Sequence, residues 1–169
     1  MLVLYDLDKT SLYCPFALWL DTSPLKLLLP RKIFYSLYSF IYILEMMFGK
    51  FKVNNEMYLR AKAYSNQPDV IQAVVTARHH TWMTRLHTYL VFKELKKQMT
   101  LICVATGESG LTKAEVVAYL FEERLDPDER IVVYDDNEYE LKVYDSNFGN
   151  RATLFKVDFD GKIETVNAY

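Results

Sequence analysis

The sequence predicts an α/β protein: a mainly parallel five-stranded sheet between two layers of helices, with a C-terminal hairpin and a helical insertion. Three observations carry this expectation. From residue 70 onward, short apolar runs alternate with helix-length segments, the pattern of parallel strands joined by crossover helices. Those runs end on polar residues, as strands do where a sheet meets a ligand. Apolar residues make up 51% of the 169, enough for a core that covers the sheet on both faces. The length fits one domain, or one core domain with a modest insertion.

Taken in order, Leu2–Tyr5 is an apolar run that suits a buried parallel strand. Residues 11–66 change character. They are rich in Tyr, Phe, Leu and Met and read as helices broken near Pro15, Pro24 and Pro30. We therefore expect a helical insertion over 11–66 within a core made of 1–10 and 67–169. Strands are expected at Val70–Thr76, Thr100–Ala105 and Ile131–Asp135, and helices at Trp82–Lys97 and Lys113–Arg124. The end, Ala152–Asp158 and Lys162–Val166 around Asp160-Gly161, reads as a hairpin with a tight turn.

Composition narrows the class further. The net charge of −2 is near balance but unevenly spread. Residues 21–66 carry Lys26, Arg31, Lys32, Lys50, Lys52, Arg60 and Lys62 against Asp21, Glu45 and Glu56, whereas the last third is acidic. That asymmetry admits an anionic ligand near the first half, and equally a plain solvated basic face. Cys14 and Cys103 are too few and too distant for a disulfide framework, and no secretory signal is apparent. A reducing, cytoplasmic setting is the expectation. Ile33–Phe48 is apolar almost all round but short of the roughly 20 residues a membrane span needs. It reads as a buried helix of the insertion or a homodimer contact rather than a membrane segment.

The polar strand ends are Asp6, Thr76, Thr106 and Asp135. Asp6 and Asp8, two apart, share one side if the chain stays extended. Two close carboxylates repel, so their pKa values separate. That suggests Asp6 as an ionised nucleophile toward phosphorus and Asp8 as a group that holds and exchanges a proton. An Asp pair ending a strand as turn residues is the plainer alternative.

Asp6-Leu7-Asp8-Lys9-Thr10 after an apolar strand resembles the first motif of the haloacid dehalogenase-like superfamily. The resemblance implies a Rossmann-like three-layer core. It also implies an aspartyl-phosphate on Asp6, acid/base work by Asp8 and a magnesium ligand from the Asp8 backbone carbonyl. Thr10 would order the loop beside the substrate. Val74-Val75-Thr76-Ala77-Arg78 resembles the second motif, with Thr76 holding the phosphoryl group and Arg78 meeting substrate. Thr106-Gly107 is a rival for that role, and a helix cap is the plain alternative for Thr76. Lys113, opening a helix before the next strand, resembles the third motif. Asp135-Asp136 resembles the fourth, an acidic pair whose hard oxygens suit magnesium. Solvated-loop readings of Lys113 and of the acidic run through Asn137, Glu138 and Glu140 remain beside these.

The implied activity is a magnesium-dependent phosphatase, with Mg2+ held by Asp6, Asp8, Asp135 and Asp136. Substrate choice would lie with the insertion, where Tyr13, Trp19, Tyr35, Tyr38 and Tyr42 are placed to close over the site. Its partners would be a small phosphorylated metabolite, a nucleotide or a nucleic-acid end. A binding module of the same fold without turnover, and a phosphotransferase using Asp6, are the competing classes.

Overall fold

The computed structural model describes residues 1–50, 52–121, 126–158 and 160–167. Strands β1 (Leu2–Asp6), β4 (Ile71–Thr76), β5 (Met99–Cys103), β6 (Ile131–Asp135) and β7 (Ala152–Val157) pair in parallel in the order β5-β4-β1-β6-β7. Strand β8 (Ile163–Asn167) closes the edge antiparallel to β7, through a turn in which Gly161 takes a left-handed φ of 83°. The predicted parallel sheet with its terminal hairpin is therefore present. The apolar runs explain it: β1, β6 and most of β4 are buried on both faces, which only a two-sided covering of helices permits.

The period of two sorts the sheet residues between two cores. Leu2, Leu4, Ala73, Val75, Ile131 and Val133 pack against helices α7 (Lys113–Phe121) and α8 (Glu138–Phe148). Val3, Tyr5, Val74 and Tyr134 face the other layer, built on α4 (Asn55–Ser65) and α5 (Trp82–Phe92). There Tyr5, Tyr134 and Phe155 stack across three strands, with centroids 5.5 and 4.9 Å apart.

Within the segment expected as an insertion, a two-stranded ribbon pairs β2 (Leu12–Tyr13) with β3 (Lys52–Val53). Between them lie α1 (Pro15–Thr22), α2 (Leu25–Leu28) and α3 (Arg31–Met47), broken where the prolines predict. No side chain of its own caps α1. Glu45 of α3 reaches across instead, accepting from the amides of Phe16 (2.8 Å) and Ala17 (3.2 Å). Helix α4 behaves differently: Met57 and Ala61 are fully buried against the sheet layer, and Gln72 of β4 donates to the Ala61 carbonyl at 3.1 Å.

Two sequence expectations and one alternative differ from what is seen. Trp82–Lys97 is not one helix: α5 stops at Phe92, Lys93 takes φ 49°, and a 3₁₀ stretch follows to Gln98, with Leu95 buried among the core residues of that layer. The run after Asp136, for which a solvated acidic loop was the plain alternative, is a helix. Asn137 caps α8 by accepting from the Tyr139 amide, and Leu141, Tyr144 and Phe148 face the core. Helix α3 is not buried all round: Phe34, Tyr42 and Glu45 are inside, whereas Ile33, Phe40 and Met47 are exposed. No described helix is long and apolar enough to cross a membrane. The predicted helix end at 122–124 lies outside the described residues.

Candidate active site

Parallel, in-register pairing puts Tyr5 beside Tyr134, so Asp6 and Asp135 leave the sheet together at the carboxyl ends of β1 and β6. Both share the face of Leu4 and Val133, the face covered by α7. Lys113 opens α7 and lies buried between them, with Nζ 2.9 Å from Asp6 Oδ1 and 2.5 Å from Asp135 Oδ2. Its backbone amide donates to Glu140 Oε2 at 3.0 Å, so α8 fixes the start of α7. Burial would push the Lys113 ammonium down, but Asp135 and Asp6 hold it well above its ordinary value.

Asp6, Asp135 and Asp136 offer oxygens that lie within 4.8 Å of one another. Burial pushes Asp6 well up; Lys113 opposes this, and Asp135, Asp136 and Asp8 add to the rise. Asp136 is raised to about 6 by burial and by Asp135, against Lys113 and Lys9. Three carboxylates against one buried ammonium leave negative charge uncompensated, and hard oxygen donors are what a divalent cation of the magnesium type takes. The residues present fit such an ion.

The loop after β1 is tightly wound. Lys9 adopts φ 60°, which lets the Thr10 amide reach the Asp8 carbonyl at 2.7 Å and the Lys9 amide reach Leu12 at 2.7 Å. Thr10 and Ser11 are both fully buried. Thr10 Oγ1 donates to Asp6 Oδ2 at 3.4 Å, and Ser11 Oγ to the Asp6 carbonyl at 2.6 Å. Asn54, just after the ribbon, donates from its side chain to the Thr10 carbonyl at 3.0 Å.

The Asp8 carboxylate is held by other partners. Arg78, two residues past β4, grips both of its oxygens, with Nε 2.6 Å from Oδ2 and Nη2 on Oδ1. Tyr42 of α3 donates to Asp8 Oδ1 at 2.7 Å and accepts from Arg78 Nη2 at 2.5 Å, while the guanidinium lies 4.4 Å from the Tyr42 ring centroid. Behind them His87 of α5 is fully buried, with Nδ1 2.6 Å from Arg78 Nη1. A guanidinium only donates, so Nδ1 accepts and His87 is neutral. Burial and then Arg78 lower His87 to about 3. Burial would raise Asp8, but the charge and hydrogen bonds of Arg78, then Tyr42, bring it below the usual carboxylate range.

These groups meet in a cavity of about 620 Å³ between the strand ends and the insertion. Asp6, Asp8, Arg78, Lys113 and Asp136 line it from the core, and Lys26, Phe34, Tyr38 and Tyr42 from the insertion. Several sequence expectations change here. Thr10 does not line the cavity; full burial makes it a support for Asp6 rather than a substrate contact. The Asp8 carboxylate stands outside the Asp6, Asp135 and Asp136 group, because Arg78 and Tyr42 hold it, whereas the ligand expected of Asp8 is its backbone carbonyl, which accepts from the Thr10 amide at 2.7 Å. The directions run opposite to the expected division: burial raises Asp6, whereas Arg78 and then Tyr42 lower Asp8. Thr76 ends β4 one step beyond the residue paired with Asp6, fully buried and off the cavity, with its hydroxyl 3.4 Å from the Arg78 amide, whereas Thr106, which opens the short helix α6 (Thr106–Ser109), lines it. Of the aromatic residues expected to close over the site, Tyr38 and Tyr42 line it, Tyr13 and Trp19 do not, and the Tyr35 side chain lies outside the described residues.

Sequence reasoning passed over Ser11, His87 and Glu140. Ser11 and His87 carry no motif signal. Glu140 had one: it stands four residues before Tyr144 and three before Val143, on the buried face of α8.

Compared with solved structures, the chain is similar to a crystal structure described as a "putative phosphatase" from Clostridium difficile. The TM-score is 0.61 at 15% identity, over 94% of this chain and 85% of that one. At that identity the likeness shows the fold alone. No protein-family model matches the chain, and no curated protein matches it in sequence.

Proposed function

We propose that the chain is a magnesium-dependent phosphohydrolase of the haloacid dehalogenase-like kind, acting on a phosphate monoester through an aspartyl-phosphate on Asp6. One observation carries the reading. Asp6 faces a cavity while paired with the buried Lys113, inside a group of three carboxylates that fits a divalent cation. The fold it shares with the Clostridium difficile protein supports it.

When bound by Asp6, Asp135 and Asp136, the cation would supply positive charge against the phosphoryl oxygens. The Asp6 carboxylate attacks phosphorus in line, and the bond to the leaving oxygen breaks. Lys113 offsets the charge on the transferred group, and Arg78 and Thr106, which line the cavity, would hold its oxygens, with Thr76 bracing the Arg78 amide behind them. Asp8, once the phosphoryl oxygens draw the Arg78 guanidinium from it, holds a proton and gives it to the leaving oxygen. It then takes one from a water that attacks the phosphorus, which frees inorganic phosphate and restores Asp6. The winding of Lys9 to Ser11 keeps Asp6 aimed throughout.

The insertion, which we take as residues 14–50 between the ribbon strands, walls the cavity and selects the substrate. Phe34, Tyr38 and Tyr42 suit the apolar or planar part of a small phosphorylated metabolite or nucleotide. Lys26 suits a second anionic group, such as the next phosphate of a nucleic-acid end. Release of phosphate from p-nitrophenyl phosphate, with magnesium and with a chelator, tests the reading. Release should need magnesium and vanish in Asp6→Asn while the circular dichroism spectrum is unchanged. Full activity in Asp6→Asn sinks the proposal.

The grip of Arg78 on Asp8 favours one second reading, a phosphate-binding module without turnover. Binding of orthophosphate with no release from any ester would select it.

A further inference from the structure

The insertion touches the reacting loop at one side chain above all, Tyr42. It stands in the middle of α3 and is 2% exposed. Its hydroxyl donates to Asp8 Oδ1 at 2.7 Å and accepts from Arg78 Nη2 at 2.5 Å. Its ring is clamped as well, with Arg78 over one side at 4.4 Å, His87 at 4.8 Å and Tyr38 at 5.1 Å. A phenol needs none of this to fill an apolar gap; Phe34, buried and stacked on Tyr38, does that on the same helix. What the hydroxyl adds is direction. Arg78, forked on both Asp8 oxygens, ties the carboxylate to the loop after β4 and, through His87, to α5. The Tyr42 hydroxyl is the contact that ties it to the cavity wall supplied by the insertion.

We propose that Tyr42 is a positioning residue: through its hydroxyl, helix α3 sets the orientation of Asp8, so that proton transfer is competent only with the insertion seated over the site. The inference rests on the reading of Asp8 as the acid/base. When a phosphate ester enters, its oxygens compete for the Arg78 guanidinium, and Asp8 keeps its place by the Tyr42 hydrogen bond. Specificity and acid catalysis are thereby joined: a substrate that the insertion rejects also meets a misplaced Asp8.

The test compares the wild type, Tyr42→Phe and Asp8→Asn on two esters. Aryl p-nitrophenyl phosphate has a leaving group that needs little protonation, and a simple alkyl phosphate has one that needs a full proton. Asp8→Asn should lose at least about tenfold more kcat on the alkyl ester than on the aryl ester. Tyr42→Phe should show the same selective loss, about threefold or more, in kcat rather than KM. If Asp8→Asn keeps its selectivity while Tyr42→Phe loses equally on both esters or only in KM, Tyr42 is a wall residue and the proposal is overturned. If Asp8→Asn shows no selectivity, the acid/base reading fails and the proposal with it. A measurement without substrate stands beside these. In thermal unfolding, the loss for the double variant should fall short of the sum of the two single losses, and additive losses overturn the Tyr42–Asp8 coupling.

Discussion

Replacing Lys113 by Met keeps most of the apolar stem but removes the ammonium 2.9 Å from Asp6 and 2.5 Å from Asp135. Removing one partner of a buried ion pair costs roughly 3–5 kcal/mol, because the remaining charge is left without compensation. Lys113→Met should lose about that much in urea unfolding and recover part of it when magnesium is added; unchanged stability would contradict the electrostatic account. His87 gives a pH signature away from the carboxylates. In the unfolded chain it takes a proton below about pH 6.5, but in the fold, facing Arg78 and Asp8, only near pH 3. Between these values the unfolded chain binds the extra proton. Stability is therefore full above the upper value and falls as the pH drops, by at most about 1.4 kcal/mol per unit. Unfolding of wild type and His87→Gln from pH 7 to 4 checks this, with a shallower slope expected for the variant. Asp6 and Asp135 were legible as the polar ends of apolar runs, and Lys113 and Asp136 through the motifs they resemble. His87 and Ser11 were not, since a buried His on a helix and a Ser in a loop look alike whether or not a charged neighbour is folded against them.

Among the elements, the strands were the most legible and α8 the least. An apolar run bounded by polar residues announces a buried strand with few competitors, as Ile131–Asp135 does. Helix α8 hid behind its charge: Glu138, Glu140, Lys142 and Asp145 obscure the Leu141, Tyr144 and Phe148 period that docks it. Its start depends on Asn137, whose side chain accepts from the Tyr139 amide at 2.9 Å. Asn137→Ala should cost about 1 kcal/mol. Because α8 holds Glu140 against the Lys113 amide, the loss should also loosen the start of α7. Amide exchange at residues 113–115 that rises with that of α8 would show the coupling; exchange confined to α8 would refute it. The break at Lys93 was not legible, since Lys93–Gln98 has good helix formers and yields to the packing of Leu95.

For the whole molecule, strand order does the arranging. Placing β1 between β4 and β6 brings Asp6, Thr76 and Asp135 to one edge, although they are far apart in sequence. The insertion then covers that edge from the ribbon of β2 and β3. Which residues of the insertion meet the site could not be read from its composition, because apolar side chains surround α3 on every side and only the fold chooses Tyr38 and Tyr42. A cation among Asp6, Asp135 and Asp136 binds the folded state alone, so magnesium should raise the unfolding temperature progressively with concentration. Asp135→Asn should abolish the rise, and a rise that survives it would move the ion elsewhere. The central claim is that phosphorus is transferred to Asp6. Rapid acid quench of the enzyme turning over a radiolabelled phosphate ester tests it most directly. The account predicts protein-bound label that hydroxylamine removes and that Asp6→Asn lacks; label absent from the wild type during turnover, or present in Asp6→Asn, would contradict it.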